Sequence, residues 1–141
     1  MERDCGAWIN MLAHRVKKRL NATLADLGIT GVQSRMMHYI ILHYQSEPVF
    51  QKDLERAFGL SRSTATGILQ LLEKNGVIRR ESVAHDGRLK SLVPTEKAVT
   101  MDAQVHAAVR EIERVMTREI SSGQLQLFYE TVTKMYQNLE D

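Results

Sequence analysis

Gln51-Lys52-Asp53-Leu54-Glu55-Arg56-Ala57-Phe58-Gly59-Leu60-Ser61-Arg62-Ser63-Thr64-Ala65-Thr66-Gly67-Ile68-Leu69-Gln70-Leu71-Leu72-Glu73-Lys74-Asn75-Gly76 holds two helix patterns separated by a tight break. In the first, Leu54, Ala57 and Phe58 share one face. In the second, Ala65, Ile68, Leu69 and Leu72 recur at i, i+3, i+4 and i+7, the spacing of a buried stripe. Gly59-Leu60 is the turn between them, Ser61 is placed to cap the second helix, and Asn75-Gly76 ends it. Two short strand patterns follow, Val77 to Val83 and Arg88 to Val93, with Asp86-Gly87 predicting a tight turn between them. Helix, turn, helix and a hairpin with a basic tip make a winged helix-turn-helix, a module that lays its second helix in the major groove of duplex DNA.

Working outward, Trp8, Leu12, Val16, Leu20, Leu24 and Leu27 predict a first helix over roughly Gly6 to Leu27, closed by Gly28 in a left-handed conformation. Thr30-Gly31-Val32-Gln33 has the form of a capping box. The helix it opens is expected to reach about Tyr44 and to bury Val32, Met36, Ile40 and His43, before Ser46-Glu47-Pro48 breaks it. Val49-Phe50 adds a very short strand. Beyond the hairpin, Pro94-Thr95 starts a long helix with Val99, Val105, Val109, Ile112 and Met116 on its apolar side. Ser121-Ser122-Gly123 interrupts it, and Ser121 with Gln124 caps a last helix carrying Leu125, Phe128, Val132, Met135, Tyr136 and Leu139. That near-heptad spacing on a terminal helix points to a partner helix, expected from a second chain because the middle module already has its own core. The fold class expected is therefore mainly α with a small β-hairpin. Residues 1–141 form a single domain, with a DNA-binding lobe at about 30–94 and helical dimerisation regions at about 5–28 and 95–141.

Composition bounds the rest. The 141 residues carry a formal net charge of only +2, so the placement of charge, not its sum, must carry a claim of nucleic-acid binding. The single cysteine, Cys5, excludes an internal disulfide framework and fits a reducing cytoplasm. No apolar run reaches the ~18 residues of a membrane span, so no membrane partner is expected. The start, Met1-Glu2-Arg3-Asp4, lacks the apolar core of a signal peptide.

A groove-entering helix needs small polar and cationic side chains near its N-terminus. Ser61, Arg62, Ser63 and Thr64 meet that need, and Thr66 and Gln70 continue the same face. Arg62 has the fork geometry to read guanine, and the unpaired amides of the first turn suit a phosphate. On the hairpin, which also carries Arg79 and Arg80, the candidates are His85, Asp86, Arg88 and Lys90. Arg88 is placed for a narrow minor groove, whose negative potential attracts arginine, with Asp86 as its ion-pair partner. Gly67 stands inside the second helix, where glycine costs roughly 0.5–1 kcal/mol relative to alanine. Close approach of DNA or of another helix is one reason for it, and tolerated weakness is another.

The chain resembles the MarR family of bacterial transcription regulators. The stretches that carry the resemblance are Gln51-Lys52-Asp53-Leu54, Leu60-Ser61-Arg62-Ser63-Thr64-Ala65-Thr66, Leu72-Glu73-Lys74-Asn75-Gly76-Val77-Ile78-Arg79-Arg80, and Asp86-Gly87-Arg88 followed by Val93-Pro94-Thr95-Glu96-Lys97-Ala98. The order of the flanking helices is similar as well. The resemblance implies a homodimer built by the helices of both chain ends, with the Ser61 helix in the major groove and Arg88 reaching the minor groove. It further implies a pseudo-palindromic operator, repression, and release by a small aromatic or phenolic effector bound between dimer and DNA lobes. Family members often carry a cation at the position of Gly67, and Pro94 and Ala98 stand where leucine and glycine are usual.

Other chemistry is weaker. One branch of the family oxidises a cysteine near the N-terminus, which makes Cys5 a candidate for a redox-sensing regulator; the tyrosines that accompany it there are missing from Ile29 to Arg35. A winged helix also serves as a protein-interaction module. His14, His38, His43, His85 and His106 are scattered, and His38 and His43, five apart, do not share a helix face, so no metal and no cofactor are expected. His14 and His38 are candidates for an effector crevice. The sequence has no phosphate-cradling glycine loop, nucleophile elbow or His-Glu metal motif, so no enzymatic activity is expected.

Overall fold

Local capping rules place most of the elements. The computed structural model describes residues 4–84 and 86–140, with the side chain of Asp86 also outside the description; the expectations for His85, for the Asp86–Arg88 ion pair and for the start at 1–3 therefore fall outside it. Helix α1 spans Cys5–Asp26 and takes its N-cap from Asp4, whose carboxylate accepts from the Gly6 and Ala7 amides. Gly28 follows with φ +71°, the left-handed conformation expected of it. Helix α2 spans Gly31–His43 behind the full Thr30/Gln33 capping box. Helix α3 spans Gln51–Phe58 and ends at left-handed Gly59, and α4 spans Arg62–Lys74 with the Ser61 hydroxyl accepting from the Thr64 amide. Strands β1 (Ile78–Val83) and β2 (Asp86–Pro94) pair antiparallel. Helix α5 spans Glu96–Met116, and α6 spans Ser122–Asn138 behind the Ser121/Gln124 capping box.

The core lies where α1, α2, α4, the hairpin and α5 meet. Met36, Met37, Ile40, Leu54, Leu69 and Leu92 are fully buried in one cluster, joined by Leu24, Leu72, Val77, Ile78 and Met101. Val49 contributes only an isolated bridge, its carbonyl accepting from the Leu92 amide at 2.7 Å. The recognition unit is tied to α5 by polar contacts as well. The Thr95 hydroxyl donates to the Gly76 carbonyl at 2.6 Å, its amide donates to the Val77 carbonyl, and Lys97 Nζ donates to the Asn75 carbonyl at 2.7 Å. One threonine thus caps α5 and closes the end of α4. Thr95→Val removes both the cap and the hydrogen bond while keeping shape, so it should cost about 1–3 kcal/mol, read as a lower urea midpoint at fixed protein concentration.

Several expectations need correction. The hairpin does not turn at Asp86-Gly87. Val83 pairs with Asp86 while Ser82 pairs with Lys90, so residues 87–89 form a bulge inside β2; pairing beyond the turn outweighs the local preference of an Asp-Gly step. Pro94 ends β2 opposite Ile78 and does not open α5, whose cap is Thr95. His43 and Ala57 are exposed, and Ser34 and Met37 take inward positions on α2 instead.

The end helices are uncovered within the chain, in agreement with a stripe expected to meet a partner from outside it. Helix α6 fully buries none of its residues: Phe128 and Tyr136 are 51% and 73% exposed, and Leu139, its C-cap, is 85% exposed. The stripe on α1 is divided in the same way, with Leu24 buried and Trp8 and Leu12 open. A single chain does not cover its own end helices.

Candidate nucleic-acid interface

Between α3, α4 and the hairpin lies a groove of about 680 Å³. Lys52 and Arg56 enter it from α3, Arg62 and Thr66 from α4, Arg80 from β1, and Arg88, Leu89 and Lys90 from β2. Six cations face it against two carboxylates, Asp53 and Glu55. That local surplus of four exceeds the net charge of +2 on the whole chain, so positive charge is concentrated here and balanced elsewhere. Facing cations raise the local potential and draw in a polyanion.

The elements explain the placement. The αL turn at Gly59 sets α3 across the start of α4. Gln51 pins the pair, its amide donating to the Thr66 hydroxyl at 2.8 Å and to the Arg62 carbonyl at 3.3 Å. The first turn of α4 is ordered by its own hydroxyls: Ser61 Oγ lies 2.9 Å from Thr64 Oγ1 and 3.4 Å from Ser63 Oγ. Ser61, Arg62, Ser63, Thr64 and Gln70 are all exposed, and Thr66 is half-buried under Gln51. On the hairpin, Lys90 donates to the Ser82 hydroxyl at 2.6 Å, Arg79 pairs with Glu81 at 2.8 Å, and Arg80 lies 3.6 Å from Glu73.

Of the residues singled out from sequence, the groove brings together Arg62, Thr66, Arg88 and Lys90; Ser61, Ser63, Thr64 and Gln70 lie on the same helix outside its lining. Sequence reading passed over Gln51, Lys52 and Arg56 as site residues and treated Arg80 only as part of the hairpin. Lys52 and Arg56 are four apart on α3, a same-face spacing that was available as a signal. At Gly67 an added Cβ would meet nothing within 4 Å, so no helix of this chain requires the glycine. Gly67→Ala should therefore raise stability by about 0.5–1 kcal/mol, visible as a higher thermal midpoint; a lower one would reveal a contact that the single chain does not show.

The histidine expectation also changes. His38 on α2 and His106 on α5 both turn to Asp102: His38 Nδ1 lies 3.1 Å from Asp102 Oδ1, and His106 Nδ1 lies 3.4 Å from Oδ2. The two rings meet edge to face with centroids 4.8 Å apart. The histidines are not all scattered, and Asp102, 64 residues from His38, is the group that sequence reading missed. His14, exposed in the middle of α1, is not one of the cluster. Cys5 is exposed at the first position of α1, where the Asp4 carboxylate already occupies the nearby amides.

The family model for MarR matches residues 27–89, from the end of α1 through the wing arginine. Over this lobe the chain is similar to the MarR family. The likeness extends over the chain as a whole. A Clostridium acetobutylicum protein assigned to the MarR family of transcriptional regulators is 26% identical, with 95% of this chain and 97% of that one covered and a TM-score of 0.80. MepR, a transcription regulator of the Staphylococcus aureus multidrug efflux pump MepA, is 22% identical over 97% of this chain and 99% of its own, with a TM-score of 0.86. A MepR–DNA complex from S. aureus matches at 22% identity and a TM-score of 0.80, covering 96% and 99%. The MepR likeness is one of fold: six helices and a two-stranded wing in MarR order. No described helix is long and apolar enough to cross a membrane.

Proposed function

We propose that the protein is a MarR-family transcription regulator that binds duplex DNA as a homodimer and acts as a repressor on a pseudo-palindromic operator. The observation that carries this reading is the groove in which Arg62 of α4 and Arg88 of the wing stand among four further cations. A recognition helix and a wing that share one cationic surface can grip a major groove and the adjoining backbone together. The S. aureus relative solved with DNA has the same fold, and the non-enzymatic reading follows from the family.

The dimer rests on the bare end helices. Trp8, Ile9 and Leu12 on α1, and Leu127, Phe128 and Tyr136 on α6, are exposed in the single chain, apolar side chains that a partner helix would take out of water. The ends thus form the dimerisation region and residues 30–94 the reading lobe, repeated by a two-fold axis so that half-sites fall about one helical turn, ~34–36 Å, apart. Release by a small aromatic or phenolic effector between the two regions is the regulation that family membership suggests.

Selection of bound fragments from genomic DNA by the purified protein tests the reading, and the recovered half-site spacing tests the dimer. The affinity should be strongly salt-dependent: a complex neutralising 6–10 phosphates loses ~10³–10⁵ in affinity between 50 and 200 mM salt. Binding indifferent to salt would point to a protein-docking surface and overturn the proposal.

A further inference from the structure

We propose that His38, Asp102 and His106 form a binding site for a divalent transition-metal ion of the zinc class. This rests on the regulator reading and deepens it, by giving one effector of the protein a chemical class. The donor atoms of the three side chains all lie within 4.8 Å of one another. Two nitrogens and a carboxylate are a zinc-type donor set, and such ligands sit ~2.0–2.2 Å from the ion, so the edges of a tetrahedral site are ~3.3–3.5 Å long. The separations from the two Asp102 oxygens, 3.1 Å to His38 and 3.4 Å to His106, are within a few tenths of that edge, and the remaining separation, within 4.8 Å, closes by turning the two rings toward a shared ion.

The alternative for such a cluster is a buried carboxylate satisfied by two ring N–H groups. Charge argues for the ion. The Asp102 carboxylate is buried, and among the described residues its ion-pair partners are these two imidazoles, with no lysine or arginine. Neutral imidazoles leave a buried negative charge uncompensated, whereas a divalent cation compensates it and takes the Nδ1 lone pairs of the tautomers that carry their proton on Nε2. Access is open: His38 and His106 are partly exposed, which leaves the fourth position to water, as in zinc sites with three protein ligands.

The site joins two regions. Asp102 and His106 are four apart on one face of α5, the long helix leading away from the wing, and His38 is on α2, which packs inside the reading lobe. An ion there holds α2 against α5 and biases how the lobe hangs from the rest of the molecule.

Cobalt(II) titration of the full-length protein, freed of metal with a chelator, tests the site without DNA. The expected result is the intense visible d–d absorption of tetrahedral cobalt, bleached by stoichiometric zinc(II). Asp102→Asn keeps the shape of the side chain, and His106→Ala removes one ligand. Each should weaken the ion by more than the ~10–100-fold that loss of an outer-shell partner costs, with an unchanged circular dichroism spectrum. Absence of cobalt absorption in the wild type, or equal binding by the folded variants, would overturn the site. Affinity for a selected operator, with and without zinc(II), tests the effector role. A shift in the wild type that Asp102→Asn abolishes supports it, and a bound ion that leaves DNA affinity unchanged overturns it. Failure of every DNA fragment to bind would instead sink the regulator reading and leave the cobalt result standing.

Discussion

Arg62→Ala should weaken binding to a selected operator by about 30-fold to more than 10⁴-fold, and should relax preference at one base position in each half-site. A bidentate arginine–guanine contact is worth ~1–3 kcal/mol of discrimination, and a two-fold dimer makes it twice. Arg62 stands at the first position of α4, exposed and facing the cationic groove, with its backbone carbonyl held by Gln51. Removing the side chain leaves the hydroxyl cap of Ser61 in place, so the thermal midpoint should barely move. Arg88→Ala, on the bulge of β2, should also lower affinity while leaving the dimer intact. Arg114→Ala is the control: it removes an exposed arginine paired with Glu111 on α5, far along the chain from the reading lobe. Fluorescence anisotropy on a short operator duplex measures all three. Undiminished binding by both the Arg62 and Arg88 variants would remove the site assignment.

Phe128→Asp should separate the proposed dimer. Phe128 belongs to the Leu125, Phe128, Val132, Met135, Leu139 stripe of α6, and in the single chain it is half exposed with Tyr129 as its ring neighbour. Burying such a side chain is worth about 1.5–3 kcal/mol, counted twice across an isologous interface, and a carboxylate in its place adds a desolvation cost. The apolar part alone shifts the dimer dissociation constant by roughly 10²–10⁴-fold. Sedimentation at micromolar concentration should therefore find monomer where the wild type is dimeric, and operator binding should fall with it, since each monomer reads only one half-site. The helical content should stay close to that of the wild type, because α6 fully buries no residue within its own chain. A variant that remains dimeric would place the interface elsewhere.

Features decided within a few residues were readable in advance. The Thr30/Gln33 and Ser121/Gln124 boxes, the Ser61 cap and the left-handed Gly28 need no distant partner, and the stripe of Ala65, Leu69 and Leu72 follows from helical periodicity. The misreadings all involve a competing long-range term. The Asp86-Gly87 turn lost to the β1–β2 register. Pro94 was drawn into the sheet by pairing with Ile78. The apolar face of α6 was legible, and so was its lack of cover inside the chain.

By itself, the order of polar, apolar and glycine positions determined that this chain would make a helix-turn-helix followed by a wing, because caps, turns and periodic stripes act over three or four residues. Only the tertiary structure decided which cations would share a groove, since Lys52, Arg56, Arg80 and Arg88 belong to three different elements. It alone brought His38 to Asp102 and His106. Such meetings depend on how packed helices and a bulged hairpin cross, and that geometry is set by the burial of the whole core at once.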